Sequence, residues 1–284
     1  MSQQLLTTSH SRDIVGLKYI YPVMSRRAGG LSIGVNFNPN NACNWRCIYC
    51  QVPDLKPGNA PEMDFEQLSA ELAGFLEYVR HGDFFADYHV DPALRVIKDI
   101  AISGNGEPSS LKNFPQAISL IGEIATQAGV FPASRFVLIS NGSLLHQRVV
   151  QSGLKVLAEY RGELWLKVDS ATTAGRKLVN NSGQSQKKLL ENIGIASTLC
   201  EVKLQTCMFH YQGQVWTEAE KQAYLQFLHT LQERLIPVRK IMLYSIARAS
   251  FQPEAELLAA ADAEEMMAFA AEISALGFEV SVSV

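Results

Sequence analysis

Three cysteines fall within eight residues of this chain, Cys43-Asn44-Trp45-Arg46-Cys47-Ile48-Tyr49-Cys50, and only two more, Cys200 and Cys207, occur among its 284 residues. The C-x3-C-x2-C spacing sets three thiolates on one loop, where they can hold one metal cluster by three corners. A four-iron four-sulfur cubane held in that way keeps one iron open to a small molecule, whereas a structural zinc ion asks for a fourth ligand close by. Only Cys200, Cys207 or a distant histidine remains to supply one, and no second C-x2-C stands at a zinc-ribbon spacing. The plainer alternatives are a zinc knuckle and three unligated core thiols. Disulfides fit less well, because the cysteine count is odd and a chain of this length buries a large core without staples. The spacing points to a reactive cluster. Cys200 and Cys207 are too few for a second cubane and read as buried free thiols, with a small opening for Cys207 as a hydrogen donor or substrate link.

A second group of residues suits a bound ligand. In Gly104-Asn105-Gly106-Glu107-Pro108 the glycines permit positive backbone dihedrals and close approach of the main chain, and Pro108 stiffens the exit. Ser140-Asn141-Gly142 is either a turn with Asn-Gly chemistry or a contact to cofactor or substrate. Asp169 and Ser170 are short hydrogen-bonding groups that suit sugar hydroxyls or, equally, a helix cap.

These residues need a scaffold that brings them together. Strand-like runs cover 32–37, 96–103, 135–140, 164–169, 202–209 and 240–246, each followed by a helix-like segment, an alternation that implies parallel strands covered by helices. Helix starts are expected at Asp64 with Gln67, Thr217 with Glu220 and Asp262 with Glu265, and Tyr224, Phe227, Leu228 and Leu231 share one face of the helix from 217 to 235. From 278 to 284 apolar residues alternate with Glu279, Ser281 and Ser283, as in a half-exposed edge strand. The expected fold is α/β, an open six-unit barrel with a trailing edge strand. Alternation also orients the strands: Leu164, Leu166, Val168, Leu204, Thr206 and Met208 should meet the outer helices, and Trp165, Lys167, Asp169, Lys203, Gln205 and Cys207 should face inward. A closed barrel packs its interior with branched apolar side chains, so this polar lining suggests a cavity shaped for a polar ligand, unless these groups sit at strand ends in solvent. Parallel barrels bind ligands at the carboxyl ends of their strands, where the cysteine loop, Gly104–Pro108, Ser140–Asn141, Asp169–Ser170, His210 and Arg248 converge.

The cysteine spacing with Tyr49 before the third cysteine resembles the signature of the radical S-adenosylmethionine (SAM) enzymes, whose core is a partial (β/α)6 barrel. The resemblance implies a [4Fe-4S] cluster on Cys43, Cys47 and Cys50, whose open iron chelates the amino and carboxylate groups of SAM. It further implies reduction by a partner such as a flavodoxin or ferredoxin, cleavage to a 5'-deoxyadenosyl radical and methionine, and hydrogen abstraction from a substrate. The loop from Gly104 to Pro108 resembles the family's GGEP motif, which holds the methionine ammonium, with Asn105 in place of the first glycine. On the same resemblance Tyr49, Ser140, Asn141, Asp169 and Ser170 join the cofactor-binding set, the last two toward the SAM ribose. A finer likeness through residues 21–29, 36–50 and 103–108 is to the uncharacterised subgroup related to the tRNA wybutosine-synthesising enzyme, and it makes modification of an RNA base one reading. A non-catalytic iron-sulfur or zinc-binding regulatory module is the alternative from another class. Residues 1–30 read as an N-terminal extension and 31–284 as the radical SAM core, with Arg26 and Arg27 able to pair with an anionic group above the cluster or to stand as exposed loop charges.

Composition is that of an ordinary globular protein, 47% hydrophobic and 19% charged. With 25 basic and 28 acidic side chains the net charge is -3, so no global electrostatic drive favours nucleic acid or an anionic membrane, and a small molecule or specific partner is the favoured substrate. The first residues lack a basic stretch followed by a long apolar core, and the apolar run behind Ser25-Arg26-Arg27 is too short for export, so a reduced cytoplasm is the expected compartment.

Overall fold

The structure, a computed structural model, describes Leu5 and residues 14–25 and 29–284. Its strands in chain order are β1 (Ile20–Ser25), β2 (Gly30–Asn36), β3 (Ala42–Cys43), β4 (Lys56–Pro57), β5 (Ile97–Ser103), β6 (Arg135–Ser140), β7 (Glu163–Lys167), β8 (Glu201–Tyr211), β9 (Lys240–Ser245), β10 (Leu258–Ala260) and β11 (Val280–Ser283). The helices are α1 (Phe65–His81), α2 (Phe84–Asp87), α3 (Phe114–Gln127), α4 (Arg148–Glu159), α5 (Thr173–Asn180), α6 (Gln186–Ser197), α7 (Glu218–Glu233) and α8 (Ala263–Ala275). The main sheet runs β1-β2-β5-β6-β7-β8-β9-β11, with β10 paired to β8 off this path. From β2 to β11 every neighbouring pair is parallel, and at least one helix connects each to the next. Six strand-helix units and a last edge strand form the partial barrel that the alternation implied. Residue by residue, the six expected strands and the trailing one agree with β2, β5, β6, β7, β8, β9 and β11 to within three residues at either end.

Burial divides the sheet into two unlike faces. Leu164, Leu166, Val168, Leu204 and Met208 are buried in one large core with the apolar faces of the helices, as their alternation required. Each such side chain, fully buried, contributes roughly 1.5–3 kcal/mol. Thr206 lies on the same face and meets its polar need by hydrogen bonding to the Val168 carbonyl and the Tyr224 hydroxyl of α7. The inner face carries a small apolar band, Ala101, Val137, Trp165 and Met242 with Ile139 beside them, and a second cluster nearer the mouth where Cys207 and Phe209 meet Ile48, Tyr49 and Val179.

Two local features depart from the expected pattern. The strand β1 pairs antiparallel with β2, placing residues 20–25 in the main sheet; β1 lies at its edge, where the missing N–H of Pro22 leaves no ladder bond unmade. Tyr21 stands opposite Gly34, where a β-carbon would overlap its ring, and so the ring lies across the lumen and its hydroxyl reaches Ser103 Oγ at 2.7 Å. Helices α1 and α7 begin at the expected caps, Asp64 accepting from Gln67 N and Thr217 from Glu220 N. Asp262, however, caps nothing with its side chain, and Glu265 turns instead to His210 Nε2 at 2.8 Å. Arg26 and Arg27 lie outside the described residues. Among the described residues no helix is long and apolar enough to cross a membrane.

Candidate active site

The loop after β2 carries Cys43, Cys47 and Cys50, and two separate segments hold it. From one side, the carboxyl end of α5 receives Ile48 N on the Val179 carbonyl at 2.8 Å and Arg46 N on the Asn180 carbonyl at 3.2 Å, while Asn181 Nδ2 donates to the Arg46 carbonyl. From the other, the segment 246–257 after β9 crosses to the cysteine loop before returning as β10. Ser250 Oγ donates to the Ile48 carbonyl, Phe251 N to the Cys50 carbonyl and Gln252 Nε2 to the Val52 carbonyl, and Glu254 takes both guanidinium nitrogens of Arg46 at 2.7 Å. This strap closes over the mouth of the barrel with Arg248, which bonds Gln51, and with the exposed ring of Phe251.

All three cysteines face one cavity of about 1030 Å³ that runs from the mouth into the lumen. Two donors point at sulfur: Trp45 N at Cys43 Sγ (3.4 Å) and Asn180 Nδ2 at Cys47 Sγ (3.2 Å). Burial pushes the Cys43 thiol up to about 12 and the Cys47 thiol to about 11, partly offset by the Trp45 N–H at the first and by Lys167 and Asn180 at the second. Deprotonating these two partly buried thiols therefore needs strong positive charge beside them, as iron supplies. Among the described residues no three His, Cys, Asp or Glu side chains converge on one metal ion.

The glycine loop lines the same cavity and is fixed from beneath. Asn36 Oδ1 accepts from both Asn38 N and Asn105 N, and Gly104, at φ +131°, takes a conformation that side-chain-bearing residues rarely adopt. At Gly106 a β-carbon would overlap the Ala42 carbonyl and the Asn38 side chain, so only glycine brings this loop against the cysteine loop. Asn105 Nδ2 donates to Asn41 Oδ1, and its own Oδ1 is buried without a partner. Glu107, 2% exposed, accepts from Ser109 N, Ser109 Oγ and Ser140 Oγ on Oε1 and from Asn141 N on Oε2 at 2.7 Å. Burial raises its pKa despite these bonds, which act to lower it. Asn141 Nδ2 donates to Asn44 Oδ1, joining the β6 loop to the cysteine loop.

Of the residues singled out in the sequence, Cys43, Cys47, Tyr49, Cys50, Gly104, Asn105, Gly106, Glu107, Ser140 and Asn141 share the cavity wall, as does Arg248. Pro108 lies just behind, at the start of a short 3-10 turn. Asp169 and Ser170 stand behind the wall with their polar groups engaged. Asp169 accepts from Tyr49 OH (2.5 Å), Asn180 Nδ2 (2.7 Å) and Cys207 N (3.0 Å), and Ser170 Oγ donates to Glu220. His210 is outside the cavity wall, against Glu265. Sequence reasoning missed Asn36, Asn38 and Asn180, which hold the loops; asparagines clustered beside a cysteine motif, and at a helix end, were the available signal.

Comparison with known proteins agrees with this arrangement. The model of the radical SAM superfamily matches residues 37–228. A UPF0026 protein of Helicobacter pylori strain J99 is 30% identical over 137 residues, 47% of this chain and 38% of that protein, so the chain spans under two fifths of that relative's length. Among solved structures, TYW1 with a lysine-pyruvate adduct bound has a TM-score of 0.54 at 17% identity, over 86% of this chain and 73% of that one. A radical SAM methyltransferase from Sphaerobacter thermophilus has a TM-score of 0.55 at 12% identity, over 89% and 66%. At such identities these two structures speak for the fold.

Proposed function

The chain belongs to the radical SAM superfamily, whose members use a [4Fe-4S] cluster and SAM, and from that premise we propose that Cys43, Cys47 and Cys50 are the three cluster ligands of this enzyme. Bound there, cluster and SAM supply electron transfer to the sulfonium and the radical chemistry that follows. The protein's own part is to position and to exclude water. Asn105 Oδ1, a buried acceptor without a partner, suits the methionine ammonium, and Glu107 sets the glycine loop against Ser140 and Asn141. Tyr49 and Asp169 fix the cysteine loop from behind, with Ser170 bracing the start of α5. The observation that carries this reading is the one cavity shared by the cysteines, Gly104–Glu107 and Ser140–Asn141. Radical SAM enzymes draw their electron from an external reductant, here by our reading a flavodoxin or ferredoxin in the reduced cytoplasm. By this reading the loops at the mouth, with Val23 and Ser25 of β1 on the same cavity wall, border the space for a substrate.

Protein purified without oxygen should be brown and hold about four irons per chain. Replacing Cys43, Cys47 or Cys50 by Ala should abolish the stable cluster, whereas Cys200→Ala should not. After chemical reduction, chromatography should find 5'-deoxyadenosine and methionine. Stoichiometric zinc without iron would overturn the ligand assignment, and intact SAM beside a fully loaded cluster would leave a non-catalytic module.

A further inference from the structure

The helix α5 stops at Asn180 because Asn181 takes the left-handed conformation, φ 49° and ψ 38°, that closes a helix. A helix end leaves carbonyls without partners in the helix, and those of Val179 and Asn180 accept from Ile48 N and Arg46 N, the residues on either side of Cys47. Asn181 Nδ2 adds a third bond, to the Arg46 carbonyl. The end of α5 thus grips the cysteine loop across its middle cysteine. Within that grip lies the Asn180 side chain, in a residue 1% exposed, with Nδ2 donating to Cys47 Sγ at 3.2 Å.

The other hydrogen of that amide goes to Asp169 Oδ2 at 2.7 Å, and Tyr49 OH and Cys207 N hold the carboxylate in turn. A flipped amide would set its oxygen against a carboxylate, so Asp169 fixes which end of Asn180 faces the sulfur. The donor at Cys43 Sγ, Trp45 N, is main chain of the cysteine loop itself and goes wherever that loop goes. The donor at Cys47 comes from a separate element, 133 positions along the chain, onto a loop that three other bonds from α5 already anchor. Anchoring therefore does not account for it. What an N–H adds at a sulfur is a change in how readily that sulfur carries negative charge.

We propose that Asn180 is a positioning residue for electron uptake: its amide, aimed by Asp169 and donated to the Cys47 sulfur, raises the reduction potential of the cluster held by Cys43, Cys47 and Cys50. A hydrogen bond to a ligand sulfur stabilises the negative charge that reduction adds, and hydrogen bonds to the sulfurs are among the features that set the potential of such clusters. Burial and the nearby Asp169 carboxylate both work against an added electron, and the amide that bonds both carboxylate and sulfur offsets part of that cost. One electron passes from the external flavodoxin or ferredoxin to the cluster, and no bond is made or broken at Asn180. This role rests on the radical SAM reading and names a residue, remote from the cysteine motif, that tunes the same site.

The test is an anaerobic redox titration of the cluster-loaded full chain, with dithionite as reductant and electron paramagnetic resonance as the readout. Asn180→Leu keeps the size of the side chain and removes the donor. At a fixed poise it should lower the ratio of reduced to oxidised cluster about tenfold, a shift of about 59 mV to lower potential for a one-electron couple. Iron should stay at about four per chain, and SAM affinity should change little, because the carbonyls of Val179 and Asn180 still hold the loop. An unchanged or higher potential in the loaded variant would overturn the assignment. So would lost SAM binding with iron retained, since Asn180 would then only anchor the loop. If Asn180→Leu does not load, Asn180→Ala takes its place, and a measurement on the wild type needs no variant. Pulsed resonance on reduced protein carrying asparagine labelled with nitrogen-15 in the side chain should show a coupling between that nitrogen and the cluster spin, and its absence would overturn the contact. A wild type that binds no iron sinks the ligand assignment, whereas a loaded cluster whose potential ignores Asn180 sinks only this role.

Discussion

Two parts of the central cavity wall treat polar groups in opposite ways. At the mouth, the loops after β2, β5 and β6 engage nearly every donor and acceptor with one another: Glu107 alone accepts four hydrogen bonds, and Asn36 ties Asn38 to Asn105. On the wall formed by β7 and β8, the buried Gln205 amide nitrogen lacks an acceptor, beside Lys167 at the carboxyl end of β7. The first pattern makes a rigid frame, since a satisfied buried network resists rearrangement. The second stores capacity for something the protein does not itself contain. A cavity that must place a cofactor and then admit a substrate needs both.

The sharpest way to break this comparison is to remove the hub of the loop network. Glu107→Ala strands the Ser140 hydroxyl, Ser109 N and Asn141 N, and should cost on the order of 3 kcal/mol in urea denaturation while weakening SAM binding. A loss below half of that would mean that the network is not a frame. On the β8 wall the sign should reverse: Gln205→Met removes an unpaired donor and should stabilise the fold by about 1 kcal/mol, by the same measurement. Clear destabilisation there would show that the amide already has a structural partner.

The smallest effect concerns the strap. The Arg46 hydrogen bonds hold the Glu254 carboxyl below its ordinary range, so the pair stabilises the fold above the usual carboxylate pKa and loses that contribution as pH falls through the lowered one. Both side chains are partly exposed, which limits the gain to about 1 kcal/mol at most. Melting curves of the wild type and Glu254→Gln should differ at pH 7 and converge below pH 4. A gap that persists in acid would assign the effect to packing instead of charge.

Much of this was legible in the sequence, and for reasons that particular residues make plain. Period-two alternation through Leu164–Lys167 and Val202–Met208 fixed which side chains would meet the helices, because the covering helices leave each strand one apolar and one ligand-facing side. The cysteine and glycine loops could be read because their chemistry is local in sequence. By contrast β1 was hidden by Pro22 and by the lack of alternation in Ile20–Ser25, which is buried along almost its whole length. Glu220 and Glu265 passed for partners in helix caps, yet their carboxylates bind Ser170, Thr172 and His210 from other parts of the chain. Nor could the strap be seen, since residues 246–257 have no periodic pattern and their partners lie about two hundred positions earlier.

That separation bears on how the protein is made. The strap is synthesised long after the cysteines it secures, and contacts spanning so much chain close late because the intervening loop must first be ordered. A nascent chain halted before β9 would present the three thiols held by α5 and the β6 loop but without the strap. With the three cysteines as the cluster ligands proposed above, cluster insertion is favoured once translation has passed the strap, so that maturation of the metal centre doubles as a check that the barrel has been completed.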